Sequence, residues 1–535
     1  MVSEGKILVG KTEEGKDIVL LPGMANRHGL IAGATGTGKT VSLKVLAEGF
    51  SDLGVPVFLA DVKGDLSGMA FQGEANEKVE ERVSKFGLSE AGFSYRSYPS
   101  EYFDIFQKSG IPLRTTISEM GPLLLSRIFE LNQIQSDILS VVFRIADEEG
   151  LLLVDTKDLR SMLNYVGDNA AQYSQQYGNI SKASIGVILR ALASLETKGG
   201  DLFFGETALN IRDWLSARDG KGVINILDCR DLVSDGTLYS TFLLWMLSEL
   251  YEILPEVGDL SRPKIVFFFD EAHLLFKNSS KALLEKITQI VRLVRSKGVG
   301  VYFITQSPAD IPDDVLSQLG NKIQHALRAY TPADRKAVKA AAQSYRENPS
   351  FDTETAIEEL ATGEAVVSML DESGTPTIVE RAMILPPQSR MSGITDQERD
   401  TLIKESLLYS KYESAVDPDS AYEFLERMGI EAEERAREEA EAAEEEKRLA
   451  KEEAAAQKAR EKEEAAALRK QEMEERKAAN AKKRAAKSVG NSVAGTVGRE
   501  VGKSVGKSFG KFGKTLGGNV GASLGRGIIG TLFKM

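Results

Sequence analysis

Short apolar runs alternate with amphipathic stretches along most of the chain. The runs have the length of strands buried on both faces of a parallel sheet, and the stretches between them repeat their apolar residues at helical spacing. Strand-like runs occur at 55–65, 222–228, 264–269, 300–306 and 321–328, and helices are predicted near 38–53, 236–253, 280–297 and 332–343. This alternation predicts an α/β fold with a mainly parallel sheet covered by helices.

Several regions depart from this alternation and predict the limits of separate parts. Polarity alternates around a turn in residues 5–21, which predicts a hairpin, and the pattern from 112 to 200 is helical. A second hairpin is predicted at 364–383, and near residue 420 the composition changes abruptly. The predicted parts are a short N-terminal hairpin region (1–28), the first part of the core (29–111), a helical insertion (112–200), the second part of the core (201–390), a helical linker (391–430), a charged helix (431–487) and a glycine-rich basic tail (488–535).

The charged segment 431–487 consists almost entirely of Glu, Ala, Lys and Arg. Glutamates at 431, 433 and 444 each precede an arginine by four residues, an orientation that stabilises a helix. The few apolar residues, such as Leu449, Leu468 and Met473, do not define a strong heptad seam. A solitary charged helix and a coiled coil therefore both remain open.

The tail 488–535 has a different pattern. Between 498 and 525 a series of glycines recurs every three or four positions, and an apolar residue precedes each glycine of the series. This spacing keeps the glycines on one helix face, although each costs a helix about 1 kcal/mol relative to alanine. Two alternatives remain open: a basic segment ordered by close packing, an anionic membrane or nucleic acid, and a flexible tail.

The net charge of −12 is unevenly distributed. Residues 1–430 carry 44 basic and 61 acidic side chains, whereas residues 431–535 carry 23 basic and 18 acidic ones. The acidic first part argues against broad, non-specific binding of DNA to its outer surface, but leaves a positively lined channel open.

Composition also bears on location and on metal chemistry. A single cysteine, Cys229, excludes an internal disulfide and fits a reducing compartment. The three histidines are dispersed and show no metal-ligand spacing. Neither a secretory signal nor an apolar run of eighteen residues is present. We expect a cytoplasmic protein, with peripheral attachment to the inner membrane as an alternative.

The stretch "GLIAGATGTGKT" at 29–40 carries the strongest chemical signal. A glycine-rich loop between a buried strand and a helix lets backbone N–H groups turn towards phosphates, and the helix N-terminus adds partial positive charge. Lys39 is expected to reach the β- and γ-phosphates, and the Thr40 hydroxyl to ligate Mg²⁺. The predicted phosphate-binding residues are Gly33, Ala34, Thr35, Gly36, Thr37, Gly38, Lys39 and Thr40.

A second stretch, "KIVFFFDEAH" at 264–273, supplies acidic partners at the end of a predicted central strand. Asp270 is expected to bind Mg²⁺ through water, and Glu271 to polarise the attacking water. "ITQSPADIP" places Gln306 at the end of the following strand, where a polar side chain can report the state of the γ-phosphate. Arg295 and Arg328 are candidates for completing the site of a neighbouring subunit.

Taken together, five stretches resemble the bacterial HerA-like helicase family, of the FtsK–HerA branch of additional-strand P-loop ATPases. They are "GLIAGATGTGKT", "LADVKGDLSG", "FFFDEAHLLF", "VRLVRSKGVGVYFITQSP" and "ALRAYTPADRKAV". The resemblance spans roughly 5–390 and implies a RecA-like core, hexameric rings and ATP-driven movement of double-stranded DNA. It makes Gln306 the sensor and Arg295 the arginine contributed in trans, with Arg328 as the second candidate.

Three functions follow from this reading. The first is a hexameric, Mg²⁺-dependent ATPase that translocates or remodels double-stranded DNA. The second is a membrane-associated pumping ATPase of the type IV secretion kind, with residues 488–535 as a membrane or partner contact. The third is a P-loop scaffold whose nucleotide only controls assembly.

Overall fold

The computed structural model describes residues 1–277 and 281–482. Its strands are β1 (Val2–Ser3), β2 (Lys6–Lys11), β3 (Asp17–Leu20), β4 (Gly29–Ala32), β5 (Val57–Asp61), β6 (Ser100–Asp104), β7 (Ile111–Pro112), β8 (Ala217–Arg218), β9 (Lys221–Gly222), β10 (Ile224–Asp228), β11 (Ile265–Phe269), β12 (Val299–Thr305), β13 (Asn321–Gln324), β14 (Glu364–Ser368) and β15 (Glu380–Ile384).

The helices fall between these strands and after them. They are α1 (Lys39–Asp52), α2 (Glu77–Lys85), α3 (Ile117–Ile128), α4 (Gln133–Glu149), α5 (Thr156–Asp168), α6 (Ala170–Tyr177), α7 (Lys182–Thr197), α8 (Gly200–Phe203), α9 (Gly236–Ile253), α10 (His273–Phe276), α11 (Lys281–Val294), α12 (Asp313–Leu316), α13 (Pro332–Gln343), α14 (Thr353–Glu359), α15 (Asp396–Glu405), α16 (Leu407–Tyr412) and α17 (Ala421–Lys482).

A single 13-stranded sheet forms the centre of the fold, in the order β1-β2-β15-β14-β13-β4-β12-β11-β5-β10-β6-β7, with β3 paired to β2. From β13 to β7 along this order, each strand is parallel to the next, whereas β13 is antiparallel to β14. The hairpins β2–β3 and β14–β15 extend the sheet with antiparallel pairs. This arrangement confirms the predicted α/β class with a mainly parallel sheet.

The central strands are buried along their whole length because both faces of the sheet are covered. On one face Phe268 of β11 meets Phe50 of α1, with ring centroids 6.3 Å apart. On the other face Phe267 stacks on Phe58 at 5.1 Å, and Phe58 stacks on Trp214 at 4.8 Å. Apolar burial of this kind fixes the strands, so the residues at their ends have defined positions.

The helices α3 to α8 follow one another between β7 and β8, where the sequence predicts an inserted helical region. The hairpin predicted near the N-terminus joins the main sheet through β2 and β15. Within the described ranges, no helix combines the length and apolar character that a membrane span requires.

Residues 391–430, predicted as a helical linker, contain α15, α16 and the beginning of α17. The part up to residue 420 belongs to the same compact unit as the core, and α17 begins at Ala421. Arg399 of α15 is buried with its guanidinium 3.5 Å from Asp228 Oδ2, and Tyr412 of α16 is fully buried. The sequence does not predict this packing, because the buried contacts are made by an arginine and a tyrosine and not by a periodic row of apolar residues.

Contacts divide the chain into two compact units, one of 1–164 with 181–420, and one of 165–180 with the residues from 421 onward. In the second unit α17 runs for 62 residues, which corresponds to about 93 Å. Arg435 pairs with Glu431 at 2.9 Å as predicted, whereas Arg448 pairs with Glu445 and Glu452. Predictions for the tail 488–535 lie outside the described residues.

Candidate nucleotide-binding site

The ends of adjacent parallel strands bring the candidate residues to one edge of the sheet. β4 leads into the glycine-rich loop, and Ala32 at its end is in register with Thr305 of β12. Phe269 of β11, which precedes Asp270, is in register with Phe303 of β12. Gln306 directly follows Thr305 and is exposed. The loop, Asp270 and Gln306 therefore share the carboxyl edge of the sheet, where α/β folds place ligands.

The glycine-rich loop depends on its glycines for both conformation and space. Gly33, Gly36 and Gly38 have φ angles of +151°, +79° and +121°, which side-chain-bearing residues rarely adopt. A Cβ on Gly33 would lie 2.6 Å from the Cβ of His325. Gly38 is the N-cap of α1 and has no side chain to cover the first turn, which leaves the positive end of the helix facing the loop.

Backbone hydrogen bonds hold this loop against neighbouring strands. Gly33 N–H donates to the Thr305 carbonyl at 3.3 Å, and Ala34 N–H donates to the Ala326 carbonyl at 2.8 Å. Gly363 N–H donates to the carbonyl of Thr37 at 2.9 Å. The loop is thereby tied to β12, to the segment after β13 and to the turn before β14, so it is ordered before any ligand binds.

Lys39 is the cation of the loop. Its Nζ donates to the carbonyls of Gly33 at 2.5 Å and Ala34 at 3.1 Å, and the residue is 8 % exposed. Burial and then the charge of Lys63 lower the pKa of Lys39, against the opposing effect of Asp270 and Glu271. Phosphate oxygens would replace the two carbonyls as acceptors and stabilise the charged ammonium.

Asp270 and Glu271 follow β11 in different environments. Burial, then Glu271, raises the pKa of Asp270 to about 6, while Lys63 and Lys39 oppose the shift. Asp270 Oδ1 accepts from the Glu271 N–H at 2.9 Å, and its carbonyl accepts from the Tyr239 hydroxyl at 2.5 Å. These contacts fix the carboxylate that the sequence assigns to a hydrated Mg²⁺.

Glu271 has a φ of +48°, which is strained for a residue with a side chain. Its Oε1 lies 3.9 Å from Lys63 Nζ, and its Oε2 lies 3.3 Å from His273 Nδ1. Oε2 is buried, and among the described residues neither it nor that nitrogen has a partner with hydrogen-bond geometry. A buried carboxylate oxygen with open acceptor capacity suits a water molecule.

These features fit a nucleoside triphosphate with Mg²⁺. The glycines give the loop a backbone conformation that other residues rarely adopt, and a Cβ at Gly33 or Gly38 would crowd His325. The helix N-terminus and Lys39 supply positive charge, and Asp270 with Glu271 supply oxygen acceptors. Thr40 occupies the first turn of α1, one residue after Lys39, where a hydroxyl can reach the metal ion.

The structure separates the two candidate arginines. Arg295 precedes the beginning of β12, at the edge of the sheet opposite to the glycine-rich loop, and its side chain is 41 % exposed with Asp259 at 4.0 Å. Arg328 follows β13 at the same edge as the loop, and its guanidinium donates to the carbonyls of Glu358 and Leu360. Their assigned roles in a neighbouring site remain predictions.

His325 is a site residue that the sequence did not single out. Its Nδ1 lies 2.8 Å from the carbonyl of Glu364, and its Nε2 lies 2.8 Å from Ser42 Oγ. Burial lowers the pKa of His325 to about 4, so the ring is neutral, with Nδ1–H donating to the carbonyl and Nε2 accepting from Ser42. Its position directly after β13, the neighbour of β4, was the available signal.

Comparison with known proteins shows the family to which the chain is similar. The profile of the family described as Helicase HerA-like C-terminal matches residues 6–515. The chain is 24% identical over 378 residues to the DNA double-strand break repair helicase HerA of Sulfurisphaera tokodaii, covering 68% of this chain and 67% of that protein. It is 23% identical over 373 residues to the helicase of the same name from Sulfolobus acidocaldarius, covering 68% and 67% respectively.

Among solved structures, the chain is similar to VirB4 of Thermoanaerobacter pseudethanolicus. The TM-score is 0.47 at 14% identity, with 72% of this chain and 97% of the other covered.

Proposed function

The chain belongs to the HerA-like C-terminal helicase family, and on that premise we propose that it is an ATP-hydrolysing ring motor that translocates or remodels double-stranded DNA. Two relatives that match about two thirds of the chain are named as DNA double-strand break repair helicases. The substrates are ATP and water, and Mg²⁺ is the metal ion that the site residues suit.

One observation carries this proposal: the glycine-rich loop with Lys39 follows β4, and Asp270 and Glu271 follow β11, at the same carboxyl edge of the sheet on either side of β12. Both carboxylates oppose the lowering of the pKa of Lys39, although neither forms an ion pair with it within the described contacts. A cation and two carboxylates held apart in this way can enclose a polyanion with a metal ion, whereas a structural ion pair would bring them into direct contact.

The chemistry follows from these positions. Loop N–H groups and Lys39 hold the phosphates, while Thr40 and, through water, Asp270 hold the metal ion, which neutralises charge on the phosphate oxygens. Glu271 accepts a proton from the water that attacks the γ-phosphorus. The new P–O bond forms as the bond to the β–γ bridging oxygen breaks, and ADP leaves. Gln306, beside the loop, contacts the transferred group.

We propose a homo-hexamer in which an arginine from one subunit enters the site of the next. Arg295 lies at the sheet edge opposite to its own loop, so any action on phosphate requires a neighbouring subunit. Arg328 is the second candidate, although its guanidinium is already occupied by two carbonyls.

The test is an ATPase measurement with and without long duplex DNA, made together with a mass measurement of the assembly. We expect a ring whose turnover is stimulated by duplex DNA and abolished by Lys39→Ala. ATP-dependent assembly with negligible turnover would instead support the scaffold. Liposome binding that depends on residues 488–535, without stimulation by DNA, would support the pumping ATPase.

A further inference from the structure

Lys63 lies beside the candidate nucleotide site, in the stretch "LADVKGDLSG", but the sequence predicts no chemical role for it. It is in the turn after β5, and β5 pairs directly with β11, the strand that carries Asp270. Residues Val57 to Leu59 are in register with Val266 to Phe268. The turn that contains Lys63 therefore emerges next to Glu271, at the same sheet edge as Lys39.

Hydrogen bonds hold the backbone of this turn, whereas the side chain of Lys63 is partly exposed. Buried Asp61 accepts from Gly64 N–H at 2.7 Å and from Ser67 N–H at 3.2 Å, and Gly64 has a φ of +82°. Ser67 Oγ in turn donates to the Gly64 carbonyl at 2.7 Å. The Lys63 side chain is 45% exposed. A flexible ammonium on a fixed turn can exchange one acceptor for another at small cost.

The contact between Lys63 and Glu271 is loose. The distance of 3.9 Å between Nζ and Oε1 allows charge attraction but exceeds hydrogen-bond length. A carboxylate at the end of another parallel strand is held much more tightly: Asp228, which ends β10, lies 2.5 Å from the guanidinium of Arg230. A structural ion pair at a strand end would be expected to close in the same way.

The charge of Lys63 also affects the pKa values of two other site residues. It lowers the pKa of Lys39 and opposes the rise in the pKa of Asp270. Lys39 follows β4 and Lys63 follows β5, with the ends of β12 and β11 between them. An incoming phosphate at this edge would therefore lie between two ammonium groups. Without a polyanion, these two positive charges repel each other.

We propose that Lys63 is a second phosphate-binding lysine of this site, which holds Glu271 before nucleotide binds and moves to the γ-phosphate when it does. The proposal rests on the proposed function and adds a residue to it. Transfer of the ammonium releases the Glu271 carboxylate to accept the proton of water. A diphosphate lacks the γ-phosphate oxygens, so it leaves the contact between Lys63 and Glu271 in place.

The test compares triphosphate with diphosphate binding in Lys63→Met, which keeps most of the stem and removes the charge. We expect affinity for a non-hydrolysable ATP analogue to fall about 10- to 100-fold, the loss of one charge-assisted hydrogen bond, with ADP affinity unchanged. The rate of hydrolysis at saturation should fall as well, and Lys63→Arg should restore analogue binding.

The matched control is Lys108→Met. Lys108 lies in the turn after β6 at the same sheet edge, but its Nζ pairs with the exposed Asp231 at 2.7 Å. This variant should bind both nucleotides like the wild type. If Lys63→Met also behaves like the wild type in analogue affinity and hydrolysis, the inference is wrong although the proposed function stands. A wild type that neither binds nor hydrolyses ATP would contradict the proposed function itself.

A second measurement does not depend on the folding of Lys63→Met. Glu271→Gln removes the acceptor that competes for Lys63, so analogue affinity should rise several-fold while ADP affinity stays constant. In the Lys63→Arg background, where the cation is retained, the same rise is expected. If Glu271→Gln leaves the analogue-to-ADP affinity ratio unchanged in both backgrounds, the proposed exchange of partners does not occur.

Discussion

His325 Nε2 and Ser42 Oγ lie 2.8 Å apart and join the strand beside β4 to the first turns of the P-loop helix. The ring also fills the space against Gly33, where a Cβ would come within 2.6 Å of the Cβ of His325. The other ring nitrogen donates to the carbonyl of Glu364 on β14. The neutral His325 side chain thus contacts the glycine-rich loop, α1 and β14 at once.

We expect His325→Asn to weaken nucleotide binding while retaining the fold. Asparagine can still donate to the Glu364 carbonyl, but it is too short to accept from Ser42, so α1 loses one buried hydrogen bond. The melting temperature should fall, corresponding to a loss of about 1–3 kcal/mol in the free energy of unfolding. The Kd for Mg-ATP should rise. Ser42→Ala is the matched variant, and the double variant should cost less than the sum of the two. Strict additivity would show that the two side chains do not act together.

Stability should depend on the protonation of His325. Burial lowers the folded-state pKa to about 4 from an ordinary value of 6.5, so the unfolded chain binds the proton more readily between these values. The contribution of the neutral ring to the free energy of unfolding is therefore fully present above pH 6.5. It falls by about 3 kcal/mol as the pH decreases from 6.5 to 4. The raised pKa of Asp270 has the opposite effect on stability, which it increases as the pH falls from about 6 towards 3.8.

The difference between wild type and His325→Asn isolates this effect. Urea unfolding at pH 4.5, 5.5 and 7 should show a stability gap that narrows as the solution becomes more acidic. A gap that is constant with pH would contradict a neutral, buried His325.

Glu271→Gln should retain ATP and stall hydrolysis. The amide preserves the shape of the side chain but cannot accept the proton of the attacking water, so the rate should fall about 10²–10⁴-fold. Lys39→Ala, in contrast, should lose nucleotide binding itself. Equilibrium binding and single-turnover hydrolysis of ATP distinguish the two, and normal turnover by Glu271→Gln would show that its assigned role is wrong.

The sequence predicts the central strands and the residues at their ends because uninterrupted apolar runs identify strands buried on both faces. It does not predict β6, where Glu101 is buried beside Arg218 and Asp104 accepts three backbone N–H groups. Polar residues satisfied by distant partners look like loop residues in one dimension. The sequence gives no role to His325 or Lys63 for a related reason, since only strand pairing brings them to the P-loop and to Glu271.

A chain that ends at residue 420 should fold and hydrolyse ATP. The compact unit that contains the site comprises 1–164 and 181–420, and the described part of α17 follows it. α17 forms its compact unit with 165–180 and not with the unit that contains the site, and most of its described residues beyond 430 are exposed and charged. Its removal therefore uncovers apolar surface of 165–180 but little of the unit that contains the site. Thermal melting and an ATPase assay of the shortened chain check this. An unfolded or inactive product would show that the later residues are part of the catalytic unit.

Arg295→Ala should bind ATP and assemble normally, yet lose most hydrolysis. Arg295 lies before β12, across the sheet from its own P-loop, with a partly exposed guanidinium 4.0 Å from Asp259. A guanidinium in that position can stabilise the transferred phosphoryl group only in an adjacent subunit, and such arginines contribute about 10³–10⁵ in rate. Arg292→Ala, one helical turn earlier, is the comparison variant.

Mixing Arg295→Ala with Lys39→Ala subunits decides whether the site is shared. In a mixed ring, some interfaces combine an intact Lys39 from one subunit with an intact Arg295 from its neighbour, so partial activity should return although each variant alone is inactive. Subunit exchange must be shown by mass measurement of differently sized variants. If mixed rings form and remain inactive, Arg295 does not act across the interface, and Arg328 becomes the residue to test in the same way.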